Sequence, residues 1–151
     1  MKKLLAAQQI PYTKYFTTPA PLQSWLWYVV AGNDSVYYVG YGSVFDKTQH
    51  LSLEKFSRNT SMIDSMHHKN EVQQLIRFSQ DFYTVEKRSD TLVFNDLRFG
   101  QVIGWQDPKE EFVFHYYLHP DIDNTFVVQR GRFVKWNWQV AEALYDRIKG
   151  R

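Results

Sequence analysis

The chain has 151 residues, a formal net charge of +2 and no cysteine. A chain of this length fits one domain that buries about 70% of the surface its unfolded form exposes. The missing cysteine excludes a disulfide scaffold, a thiolate metal site and a cysteine nucleophile, and the small, scattered charge does not indicate nucleic-acid binding.

The first third of the chain predicts a short helix and then antiparallel strands. Periodicity and turn residues predict a helix at 2–9, a strand at 12–17, a hairpin at 25–41 and a short strand at 51–56. The hairpin is the clearest of these, because Gly32-Asn33-Asp34 joins two β-prone runs. Gly40, inside its second strand, indicates a bulge or the close approach of another group. The apolar run at 25–31 is far shorter than the roughly 20 residues that a membrane-spanning helix needs.

The remainder predicts helices alternating with strand pairs. We expect one helix at 62–78, either continuous or broken near His67-His68, a hairpin of strands 82–87 and 91–99, strands at 112–118 and 125–129, and a helix at 135–149. The last helix has one apolar stripe, formed by Trp138, Ala141, Leu144, Tyr145 and Ile148. Together these elements predict an α+β fold with one twisted antiparallel sheet of about six to eight strands and both main helices packed on one side.

One segment, 91–101, places opposite charges two residues apart inside an apolar strand. Side chains alternate along a strand, so Asp96 and Arg98 extend the apolar face that Leu92 and Phe94 begin. A carboxylate and a guanidinium at such positions need each other, because breaking a buried pair costs about 3–5 kcal/mol. Gly100 is expected to end the strand.

Two interpretations of this pair remain open. In the first, Asp96 and Arg98 form a salt bridge that only holds the fold together. In the second, Arg98 lines an aromatic pocket with Trp27, Tyr28 or Tyr41 and binds a small anionic or sugar-like ligand.

Catalytic and metal-binding patterns are weak. His115 and His119 would lie roughly 13 Å apart on a strand, too far to share one ion, so we predict no metal site and no cofactor in this chain. No serine-nucleophile elbow or phosphate-binding glycine loop occurs. The remaining enzymatic hypothesis is a self-contained hydrolase in which Asp96 or Glu111 works with His115 as an acid–base pair.

Four short motifs occur in order along the chain: Pro19-x-Pro21 before Trp27-Tyr28, then 41–46 (YGSVFD), then Phe78-Ser79-x-x-Phe82-Tyr83, and finally 95–100 (NDLRFG). This series resembles the region that follows the membrane segments in YdjM-like proteins, which are described as LexA-binding, inner-membrane-associated, metal-dependent hydrolases. The last of these motifs is the most specific. Around 130–151 nothing similar is recognised.

The resemblance implies an extramembrane accessory or ligand-recognition domain of a membrane-bound hydrolase. It also implies that residues 1–10 are a linker or short helix at the start of a truncated product, and that 1–151 is a single soluble domain. The divalent metal would then belong to the N-terminal membrane portion, which would be the partner of this domain. A protein-interaction module that docks through exposed aromatic side chains is the remaining alternative.

Overall fold

The computed structural model describes residues 2–20, 23–47, 50–119 and 137–150. Within these residues the fold is α+β, with seven strands that pair antiparallel. The strands are β1 (Lys14–Pro19), β2 (Leu26–Gly32), β3 (Val36–Ser43), β4 (Leu53–Ser57), β5 (Tyr83–Arg88), β6 (Thr91–Gln101) and β7 (Phe112–Leu118). The helices are α1 (Lys2–Ala7), a 3-10 helix (Thr60–Met66), α2 (Asn70–Phe78) and α3 (Trp138–Ile148). The predicted strand at 125–129 lies outside the described residues.

The strands form two sheets instead of the single sheet that the sequence predicted. A four-stranded sheet has the order β1-β2-β3-β4, and a three-stranded sheet has the order β5-β6-β7. The division falls where the 3-10 helix and α2 separate β4 from β5. These helices cover one face of the second sheet, where Val72 packs with Val85 and Phe94. Both predicted hairpins are confirmed, as β2 with β3 and as β5 with β6.

The helices differ from prediction in their extent and in their placement. Of the two forms left open for the helix at 62–78, the structure has the broken one, because Lys69 has an extended backbone between the 3-10 helix and α2. In α3, Trp138 and Tyr145 are exposed, while Val140 is buried and Leu144 packs on the core. The apolar stripe of α3 is therefore rotated from the expected one. None of the described helices combines the length and apolar character needed to cross a bilayer.

The main core lies between the two sheets. Tyr28, Val30 and Val39 of the first sheet contact Leu97 of β6 there. The opposite face of the first sheet is covered by α1, whose Leu5 belongs to a separate apolar cluster. The helices are thus spread over both sheets and do not share one side.

Three tyrosine hydroxyls join the first sheet to the backbone of the second half of the chain. Tyr28 donates to the carbonyl of Leu97 at 2.7 Å, and Tyr37 donates to the carbonyl of Asp81 at 2.7 Å. The hydroxyl of Tyr41 accepts a hydrogen bond from the backbone N–H of Gln101 at 3.2 Å. The bonds to Leu97 and Gln101 fix β6, the strand that contains Asp96 and Arg98, against the first sheet, and the bond to Asp81 holds the segment before β5.

Candidate functional site

Asp96 and Arg98 form the pair that the sequence predicted. The Asp96 side chain is fully buried. Its Oδ1 accepts from the backbone N–H of Arg98 at 3.0 Å and from Arg98 Nε at 3.2 Å, and its Oδ2 accepts from Nη2 at 2.9 Å. One edge of the guanidinium is therefore held by the carboxylate, which fixes its direction.

The aromatic partners of Arg98 are phenylalanines. Its Cζ lies 4.9 Å from the ring centroid of Phe78 and 5.1 Å from that of Phe99. The Phe114 ring lies 4.5 Å from that of Phe99. We call Arg98, Phe78, Phe99 and Phe114 the Arg98 surface. Phe78 and Phe99 are 48% and 43% exposed, so this surface presents apolar rings around a cation.

An irregularity in β6 brings the Arg98 surface together. The pairing of β6 with β7 shifts register between Asp96 and Gln101. Gly100 does not end the strand as predicted; it continues the strand with a φ of +75°. Because the bulge breaks the regular alternation of side chains, the consecutive residues Arg98 and Phe99 both reach the ring of Phe78.

The three aromatic residues proposed beside Arg98 lie elsewhere. The rings of Tyr28 and Tyr41 pack on each other at 5.0 Å in the core between the sheets. Burial raises the pKa of Tyr28 well above its usual value and raises that of Tyr41 to about 12. Trp27 donates from Nε1 to the carbonyl of Ser24 at 2.9 Å. The two tyrosines therefore hold β6 against the first sheet through hydrogen bonds to its backbone. A role of Trp27, Tyr28 and Tyr41 in ligand binding stays a prediction.

The structure separates Asp96 from His115, one of the two acid–base pairs of the hydrolase hypothesis. Asn95 pairs with His115 across β6 and β7, while Asp96 pairs with Phe114, so Asp96 and His115 face opposite sides of the sheet. His115 is buried, and its Nδ1 donates to the carbonyl of Phe112 at 2.9 Å. Glu111 forms an ion pair with Arg88. The structure thus does not bring Asp96 and His115 together as an acid–base pair.

Among the described residues, no group of three or more histidine, aspartate or glutamate side chains is placed to hold a metal ion. His67 and His68 are exposed in the break before α2. His67 contacts the side chain of Gln73, at 2.9 Å from Nδ1 to Nε2.

Sequence reasoning missed Phe78 and Phe99 as partners of Arg98. Phe78 ends α2, twenty positions before Arg98, and nothing in the local pattern shows that the two meet. For Phe99, strict strand alternation predicts the opposite face from Arg98. Gly100, directly after Phe99, is the one local indication that this alternation is interrupted, because a glycine inside a strand indicates a bulge.

Comparison with protein-family models, with curated proteins and with solved structures gives no match to this chain. The resemblance of 95–100 to YdjM-like proteins therefore stays a prediction. What the protein does has to be argued from the geometry of its own residues.

Proposed function

We propose that this chain is a recognition domain that binds a carboxylate-bearing apolar group at the Arg98 surface. The observation that carries the proposal is the fixed guanidinium lying against two half-exposed phenylalanine rings. Exposed clusters of aromatic rings with an arginine are typical of binding sites, where a few such residues supply most of the affinity.

The guanidinium keeps hydrogen-bonding capacity for a ligand. Asp96 uses the edge formed by Nε and Nη2, and none of the hydrogen bonds between described residues uses Nη1. A carboxylate that approaches Nη1 would gain a charge-assisted hydrogen bond. Its apolar neighbour would cover the rings of Phe78 and Phe99, which are the most exposed parts of the site.

The same geometry favours binding over bond-breaking. Arginine stays protonated in proteins and does not act as a base. Both oxygens of Asp96 already accept hydrogen bonds from Arg98, and the carboxylate is fully buried. The pair is therefore suited to orient a ligand and not to exchange protons with it.

The resemblance to YdjM-like proteins gives this proposal a wider context. In that context the chain is an extramembrane accessory domain of a membrane-bound, metal-dependent hydrolase. The natural ligand would then be a segment of the membrane portion of the same protein, with a carboxylate beside an apolar side chain.

A minimal pair of probes tests the binding proposal. N-acetyl-L-phenylalanine carries a carboxylate beside a ring, and its amide lacks the charge. In nuclear magnetic resonance titrations of the full chain, we expect the acid to move the Arg98 Nε–H signal and to bind at least several-fold more tightly than the amide. Equal binding of the two probes, or no shift at Arg98, would contradict the proposal.

A matched pair of variants locates the site. Phe99→Ala removes one ring of the Arg98 surface, and it should weaken binding of the acid. Phe45→Ala removes a ring of similar exposure, 52%, from a residue that follows β3 and whose backbone lies beside Gly150. We expect this control to bind the acid as the unmodified chain does.

A further inference from the structure

A cavity of about 180 Å³ lies on the other side of the second sheet, between β4 and β5. Each of these strands is an edge of its own sheet. They meet at one end, where Val85 donates to the carbonyl of Arg58 at 2.9 Å and Asn59 Nδ2 donates to the carbonyl of Val85 at 2.9 Å. Residues of both edges line the cavity, which we call the edge cleft.

A buried polar atom among the lining residues has no partner. Asn95 lines the edge cleft and is only 4% exposed. Its Nδ2 lies 3.4 Å from Thr84 Oγ1 and 3.3 Å from Glu86 Oε1. Its Oδ1 is buried and has no hydrogen-bond partner within the described chain. Folded proteins seldom leave a buried acceptor unused, so this atom requires a donor from outside the chain, which a ligand in the cleft can supply.

Three of the charged residues that line the edge cleft already pair with one another, and the six ionisable residues of its lining comprise three cations and three anions. Arg88 pairs with Glu86 at 2.6 Å and also with Glu111, and all three line the cleft. An ionic ligand would have to compete with these pairs, whereas a neutral ligand can use the hydrogen-bonding capacity that remains. Hydroxyl groups suit this setting, because each can donate to Asn95 Oδ1 or accept from a guanidinium.

One wall of the edge cleft is apolar. Phe56 and Phe112 meet edge to face, with ring centroids 5.1 Å apart, and both line the cavity. Sites for small molecules combine such walls with a few convergent polar groups, and those for drug-sized ligands measure roughly 300–1,000 Å³. The smaller edge cleft therefore suits a smaller molecule with one apolar face.

We propose that the edge cleft binds a neutral, hydroxyl-bearing ligand of monosaccharide size. This site is separate from the Arg98 surface, because the consecutive residues Asn95 and Asp96 point to opposite faces of β6. The inference does not depend on the function proposed for Arg98, and either can fail alone.

The test is a titration of the full chain with D-glucose, D-mannose, D-galactose and N-acetyl-D-glucosamine, followed by nuclear magnetic resonance. At least one of these sugars should shift the side-chain amide signals of Asn95 together with the backbone signals of Thr84. D-glucose 6-phosphate serves as the charged comparison and should bind no more tightly than D-glucose. Absence of shifts at Asn95 with all four sugars, or binding of the phosphate alone, overturns the proposal.

Three variants place the binding in the edge cleft. Ser57→Trp fills the cavity from an exposed position and should abolish sugar binding, whereas Ser24→Trp adds the same side chain at an exposed position outside the lining. Asn95→Leu removes the unpartnered oxygen at similar volume and should weaken binding at least tenfold. Unchanged affinity in folded Ser57→Trp or in Asn95→Leu would refute the assignment. Ser57→Trp should still bind N-acetyl-L-phenylalanine, which separates this proposal from the one for Arg98.

Discussion

The two sheets of this protein differ in what they bury. Of the nine buried polar or charged residues in the described chain, only Ser43 belongs to the four-stranded sheet. Five belong to the three-stranded sheet, namely Thr84, Asn95, Asp96, Gln101 and His115. The first sheet is covered on both faces, by the core between the sheets and by α1, so its central strands bury mainly apolar and aromatic side chains.

We interpret this difference as a difference in role. The four-stranded sheet supports the fold, whereas the three-stranded sheet carries both proposed binding sites. Burying a polar group costs free energy unless it is hydrogen-bonded, so a sheet that only supports the fold has no reason to hold many such groups. The three-stranded sheet carries them on both faces, with Asp96 on the face that α2 covers and Asn95 on the face of the edge cleft. The four-stranded sheet holds β6 in place through hydrogen bonds of Tyr28 and Tyr41 to the β6 backbone.

Raising the pH should weaken the contact between the sheets. We expect this change to lower the free energy of unfolding more than any of the substitutions below. Burial raises the pKa of Tyr37 and of Tyr41 to about 12 each, whereas an unfolded tyrosine titrates near 10. The folded state therefore holds these protons longer, so its stability is complete below pH 10 and is lost as the pH rises from 10 towards 12. Each unit of difference in pKa corresponds to about 1.4 kcal/mol.

Thermal melts across this pH range measure the loss. Tyr41→Phe removes one titrating group, so the fall of stability with pH should be less steep in this variant. An unchanged slope would show that Tyr41 ionises freely in the folded protein.

Charge truncation in the second sheet should behave differently from apolar truncation in the first. Asp96→Ala leaves the guanidinium of Arg98 without its carboxylate, and we expect a loss of about 3–5 kcal/mol in the free energy of unfolding. Leu26→Ala, at a fully buried position of β2, should cost about 2–5 kcal/mol because it leaves a cavity. Urea unfolding of both variants provides the numbers.

A second substitution distinguishes the loss caused by an unpaired buried charge from the loss caused by a cavity. Adding Arg98→Met to Asp96→Ala removes the unpaired charge while it keeps a long side chain against Phe78, so much of the lost stability should return. Adding Arg98→Met to Leu26→Ala should bring no recovery. If both double variants respond alike, Asp96 and Arg98 are not energetically coupled.

Tyr28→Phe tests a single bond across the junction of the sheets. The variant keeps the ring and leaves the buried carbonyl of Leu97 without its donor. The expected cost is about 1–3 kcal/mol, the usual penalty for an unsatisfied buried group. Equilibrium unfolding measures it, and a cost near zero would mean that water replaces the hydroxyl.

Gly100→Ala should give the smallest effect and should change the Arg98 surface more than the first sheet. At a φ of +75° a Cβ is strained, and here it would lie 3.0 Å from Tyr41 Oη. We expect about 1–2 kcal/mol of destabilisation from the left-handed backbone. Gly100→Asn should cost less, because asparagine tolerates this conformation better. Denaturation curves of the two variants compare them directly, and equal losses would argue against backbone strain.

Local patterns predicted most elements of the fold. The β2–β3 hairpin followed from Gly32-Asn33-Asp34 between two β-prone runs, and the helical character of 62–78 followed from its apolar periodicity. The close approach expected at Gly40 is also confirmed, because a Cβ there would lie 2.2 Å from the carbonyl oxygen of Ser52. These features depend on neighbouring residues, whose preferences are visible in the sequence.

Contacts between distant segments were not predictable in the same way. The division into two sheets depends on how the segment at 60–78 packs on β5 and β6, which no local pattern encodes. The orientation of α3 also differed from expectation, since an aromatic residue such as Trp138 fits an apolar stripe yet lies exposed. Residue type alone does not tell which of two apolar faces the rest of the chain will cover.

The sequence by itself determined that Asp96 and Arg98 pair, because two residues on one face of a strand are neighbours wherever that strand lies. Only the tertiary structure decided which rings surround the pair. The bulge at Gly100 and the end of α2 bring Phe78 and Phe99 to Arg98, while Tyr28 and Tyr41 are drawn into the core between the sheets. The physical reason is that a buried ion pair is satisfied over a short chain distance, whereas the burial of apolar rings depends on the packing of the whole chain.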